Sequence, residues 1–94
     1  MTLAVFEFHE PFAVATVADT ATQLTSTVYD LKRGVLVQAL STNAASAYLG
    51  GSAVDADSGV ELEPGKAIEL PCRDISVLYV FSTADDDSIR VWPF

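Results

Sequence analysis

Nucleophilic catalysis usually needs a base beside a serine or cysteine, and this chain offers one histidine, His9, and one cysteine, Cys72. His9 could pair with Cys72 or with one of the serines. A polar residue at the end of a terminal strand reads more simply as a surface side chain. Cys72 stands between Pro71 and Arg73, and a neighbouring guanidinium could lower its thiol pKa. A lone cysteine after a strand reads more simply as a small packing residue. Glycoside chemistry needs two carboxyl groups held across a cleft, and Glu61, Glu63 and Glu69 are the acids on predicted strands. Period-two spacing puts Glu61 and Glu63 on one face, the solvated one.

Oxygen ligands for a hard cation are available at Asp55, Asp57 and the run Asp85-Asp86-Asp87. The closing glutamate of an EF-hand is missing. A solvated acidic turn that blocks sheet-to-sheet association is the simpler reading, and a cation at Asp85 to Asp87 stays open. Gly50-Gly51-Ser52 lacks the lysine and the helix of a phosphate loop. Rings do not alternate with basic residues as a nucleic-acid platform requires. The expectation is a chain that is not an enzyme, with no catalytic residue, cofactor or assigned metal site.

The elements that would position these residues are nearly all strands. Leu3 to Phe8 is short and aromatic, and Glu10-Pro11 breaks it because proline lacks the amide donor. Phe12 to Ala18 is apolar on both alternating faces, which predicts a strand buried on both sides, closed by Asp19-Thr20. Thr22 to Val28 predicts a short edge strand anchored by Leu24. Gly34 to Ser41 is the clearest strand, with Val35, Val37 and Ala39 on one face and Leu36 and Leu40 on the other. Ala47-Tyr48-Leu49 follows closely enough for a hairpin. Val60 to Leu62 and Ala67 to Leu70 flank Glu63-Pro64-Gly65-Lys66, where proline followed by glycine predicts a type II turn and a returning strand. Ile75 to Ser82 and Ser88 to Trp92 complete the set, Leu78 and Val80 opposing Val77, Tyr79 and Phe81. Gly34, Gly50, Gly51 and Gly65 are expected in turns. The one helix-like stretch, Asn43 to Ala47, is too short to hold a helix unaided. The fold class predicted is all-β, a single-domain antiparallel β-sandwich or jelly roll over residues 1–94.

Composition bounds what such a domain can do. At 10.0 kDa a monomer buries about 64% of its unfolded surface, so assembly would add stability. Five basic against thirteen acidic residues give a net charge of −8, the wrong sign for phosphate backbones or anionic lipid. Half the residues are apolar and mean hydropathy is +0.32, so the chain should fold. No apolar run approaches the roughly 20 residues of a membrane-spanning helix. The first ten residues carry no Lys or Arg, unlike a secretory signal, and are expected to belong to the fold. Phe6, Phe8 and Phe12 crowd one end while Trp92 and Phe94 crowd the other, which marks these rings as a candidate oligomer or attachment interface, residues 1–18 contributing.

From about Ala21 to Trp92 the order of signals resembles small all-β virion proteins of tailed bacteriophages, the capsid decoration (cement) or head-fibre type. The run is Thr22-Gln23-Leu24, then Gly34 to Asn43, then Tyr48-Leu49-Gly50-Gly51-Ser52-Ala53-Val54, then Gly59-Val60-Glu61-Leu62-Glu63-Pro64-Gly65, ending on Leu78-Tyr79-Val80. That resemblance implies a structural protein made in the host cytoplasm and carried on the virion surface. It implies the major capsid protein and further copies of the chain, as a trimer, for partners. Similar segments occur in tail and fibre modules, which implies an alternative: a carbohydrate or receptor binder with Trp92, Tyr79 or Tyr48 stacking on sugar.

Overall fold

The computed structural model describes residues 10–29 and 31–94. The strand expected over 3–8, with Phe6 and Phe8, and His9 after it lie outside the described residues. Among the described residues eight strands follow in order: β1 (Phe12–Ala15), β2 (Thr22–Gln23), β3 (Val35–Ala39), β4 (Ala47–Gly50), β5 (Val60–Leu62), β6 (Ala67–Leu70), β7 (Tyr79–Phe81) and β8 (Ser88–Pro93). A 3-10 turn, Ile75–Val77, precedes β7.

The pairing is nested, as if the chain were folded in half. β1 pairs with β8, β2 with β7, β3 with β6 and β4 with β5, all antiparallel. Two further antiparallel pairings, β3 with β8 and β4 with β7, roll that long hairpin into two sheets ordered β1-β8-β3-β6 and β2-β7-β4-β5. This is the strand order of a double-sheet jelly roll. Apolar residues at period two supply the inner faces: Val35, Val37, Ala39, Ile89 and Val91 from the first sheet meet Ala47, Leu49, Leu62 and Val80 from the second.

Four sequence expectations need correction. β1 stops at Ala15 and buries one face only: Ala13 and Ala15 are exposed while Phe12 and Val14 face inward. It lies at a sheet edge, and methyl groups suffice on its open side. β3 and β4 do not form a hairpin, because segment 40–46 crosses between sheets. β6 likewise does not return along β5. The turn between them already bonds to the first sheet, Gly65 N–H donating to Ala39 O at 2.9 Å and Ala39 N–H to Lys66 O at 2.9 Å. Finally, Ile75 to Val77 is not strand. The Asp74 carboxylate accepts the Ser76 N–H at 2.9 Å and so offers the backbone a local alternative to the ladder, which sends Ile75 into the core and leaves Val77 exposed.

The type II turn holds: Lys66 N–H donates to Glu63 O at 3.0 Å and Gly65 has φ 85°. Gly50 is the last residue of β4 and Gly51 lies in the turn after it.

Candidate functional site

The acidic run resolves into a backbone clamp. Asp87 is only 7% exposed, and its two carboxylate oxygens accept the N–H groups of Ala44 at 2.9 Å and Ala45 at 3.0 Å. Beside it the Asn43 side chain imitates a strand neighbour, Nδ2 donating to Ser88 O at 2.9 Å and Oδ1 accepting the Ser88 N–H at 2.9 Å. Thr16 closes the knot from β1: its hydroxyl donates to Ala84 O at 2.7 Å and accepts the Asp87 N–H at 3.1 Å. Asp85 accepts the Ala18 N–H at 2.7 Å, and Asp86 takes the left-handed conformation at φ 61°. Two of the three aspartates therefore have backbone donors as partners. Among the described residues no group of three or more His, Cys, Asp or Glu is placed to hold a metal ion.

The other acids do not converge either. Glu61 on β5 and Glu63 after it are exposed beside the second sheet, and Glu69 on β6 is exposed on the first. Asp55 accepts the Ser58 hydroxyl at 3.0 Å and the Asp57 and Ser58 N–H groups at 2.9 and 3.0 Å. These bonds, the Ser58 hydroxyl first, hold its carboxyl below the usual aspartate value. The Ser76 hydroxyl and then the Ser76 N–H do the same for Asp74. Cys72 is half-buried against the core, and burial, followed by the charge of Asp74, pushes its thiol up. That is the opposite of an activated nucleophile.

The aromatic residues fall into three places. Phe12 packs inward and stacks on Tyr29, the ring centroids 6.0 Å apart and the planes 9° from parallel. Phe94 is 4% exposed, its N–H donating to Gly34 O at 2.9 Å while its carbonyl accepts from Gly34 at 2.9 Å and Arg33 at 3.1 Å. Trp92 lies on the outer face of the first sheet, opposite Leu36 and half-buried. Pro11, Phe12, Ala13, Arg90 and Trp92 line an open groove of about 230 Å³ at the β1 edge. The groove is apolar with one cation, and too small and open to enclose a small molecule.

On the opposite sheet Tyr48 and Phe81 are direct cross-strand neighbours, centroids 6.5 Å apart, with Tyr79 on the same outer face. Trp92 cannot join them in one surface, because it lies on the other sheet. Asn43 entered the sequence reading only as a member of a run, and its hydrogen bonds to Ser88 were not legible there. Thr16 and Asp87 meet across 71 residues and Asp87 reaches Ala44 and Ala45 across 43 and 42, so their roles leave no local signal. Compared with family models, curated proteins and solved structures, the chain matches none.

Proposed function

We propose that this chain is a structural virion protein of tailed phages, a capsid decoration protein that binds the major capsid protein lattice and works without catalysis. The observation that carries this reading is the open apolar groove beside Trp92 and Arg90, a surface suited to a polypeptide. The sequence resemblance supports it, since its matched run spans β2 to β7 and includes Asn43 and the Pro64-Gly65 turn. Jelly rolls recur in viral capsid proteins and lectins, a support by fold analogy alone. The chain is carried on the capsid exterior and self-associates there. Net charge −8 opposes that association and is screened by salt, so apolar burial drives it.

The test is co-sedimentation of the purified chain with capsids lacking it. Binding is expected, with Trp92→Ala weakening it at least tenfold while the circular dichroism spectrum stays that of a β protein. No binding by the unaltered chain would overturn the proposal.

A second reading has its own observation: Tyr48, Tyr79 and Phe81 share the outer face of the second sheet. Aromatic faces stack on sugar rings, and a glycan array that lights up with the unaltered chain and goes dark with Tyr79→Ala would favour a receptor-binding module.

A further inference from the structure

The basic residues of the chain leave one sheet bare of positive charge. Arg90 lies on β8, Lys66 in the turn before β6, Lys32 and Arg33 before β3, and Arg73 after β6. None lies on β2, β4, β5 or β7, or in segment 51–59 that joins β4 to β5. That sheet and segment carry Glu61, Asp55 and Asp57, all exposed.

The outer face of the same sheet is built around rings. Leu49, Leu62 and Val80 are buried inward, so alternation turns Tyr48, Glu61, Tyr79 and Phe81 outward. Tyr48 stands between Phe81 and Glu61, a direct cross-strand neighbour of both, and Tyr79 stands opposite Gly50. Val54 is buried over Gly50 and Gly59, where an added β-carbon would come within 2.9 and 2.7 Å of its Cγ2 atom. At Gly59 that carbon would also lie 2.6 Å from Cβ of Tyr48 and 3.2 Å from the carbonyl oxygen of Asp55. Glycine at both positions therefore lets segment 51–59 lie against this face, with Asp55 at the border of the rings.

We propose that this face docks a basic polypeptide, an arginine side chain lying on Tyr48 and Phe81 with its guanidinium against Glu61. Ring faces attract cations, and the carboxylates beside them add to that attraction. The complementary charge comes with the occupant, because the sheet supplies none of its own. Arginine answers both features: its planar group stacks on a ring, its N–H fork pairs with a carboxylate, and its stem covers apolar area. A neutral sugar would answer the rings alone, and an anionic one would be repelled by a chain of net charge −8. This surface lies on the sheet opposite Trp92 and stands whether or not the chain sits on a capsid.

The experiment titrates the isotope-labelled full chain with the end-blocked peptide Arg-Gly-Arg-Gly-Arg and follows backbone amide chemical shifts. The shifts are expected on β4, β5 and β7, around Tyr48, Glu61 and Phe81. Glu61→Lys sets a like charge beside the arginine and should weaken binding roughly tenfold. Glu69→Lys makes the same change of net charge on the outer face of the other sheet and should change binding less than about twofold, since sheets about 10 Å apart exceed the Debye length of about 8 Å at physiological salt. The same peptide with citrulline in place of arginine keeps the shape without the charge and should not bind. Equal losses in the two variants would show attraction by bulk charge alone and overturn the proposal. So would shifts centred on β3 and β8, undiminished binding of the citrulline peptide, or no binding by the unaltered chain. Shifts of these residues by the neutral glucan maltohexaose and not by the peptide would give the face to sugars instead.

Discussion

Asp87, Thr16 and Ser82 are buried polar residues among the described residues, and the first two tie three distant segments together. Removing the Asp87 carboxylate leaves the Ala44 and Ala45 N–H groups without their acceptor. Ala44 is exposed and Ala45 half-buried, so the loss is that of hydrogen bonds to a charged acceptor, about 1.5–3 kcal/mol, and Asp87→Ala should lower the urea midpoint by that equivalent with an unchanged m-value. Cys72 gives the pH-dependent counterpart. Its thiol pKa is raised in the folded state by burial and by Asp74, so the folded chain holds the proton more tightly than the unfolded one. The contribution to stability is complete below the ordinary thiol pKa and is lost as pH rises through the folded value. Iodoacetamide should therefore alkylate the folded protein more slowly than the urea-unfolded chain at mildly alkaline pH. Equal rates would show that the burial is not felt by the thiol.

At the scale of elements, the strands with period-two apolar faces were legible in the sequence: β3, β5, β6 and β8 lie where Val35-Leu36-Val37, Val60 to Leu62, Ala67 to Leu70 and Ile89 to Val91 place them. So was the turn at Pro64-Gly65. Partners were not legible, because period two fixes which face of a strand is buried and says nothing of which strand lies beside it. Hence β3–β4 and β5–β6, neighbours in sequence, sit in different sheets. The Ile75 to Val77 stretch misled for another reason: β-branched residues argue for strand, and the Asp74 cap outweighs them locally. Two glycines test the elements directly. At Gly65 a side chain has room but φ is 85°, so Gly65→Val should cost about 1 kcal/mol or more. At Gly34 a Cβ would overlap the Leu70 carbonyl oxygen where β3 meets β6. Gly34→Ala should be the more damaging of the two in denaturant titration, although the side chain is smaller.

For the whole molecule, the jelly roll leaves two outer faces of different character. The first sheet presents Trp92, Leu36 and Arg90 beside the uncharged β1 edge, and the second presents Tyr48, Tyr79 and Phe81. The candidate interface was only half legible in the sequence. Crowding of rings near the chain ends marked the region, yet Phe94 and Phe12 turn inward, since ring count carries no information about the face each ring occupies. A decoration protein follows the capsid lattice in number, whereas a receptor-binding tip does not. Quantitative mass spectrometry of purified virions measures this directly, as the ratio of this chain to the major capsid protein. The account predicts a ratio of the same order as the lattice itself. Absence of the chain from virions, or a few copies per particle, would contradict it.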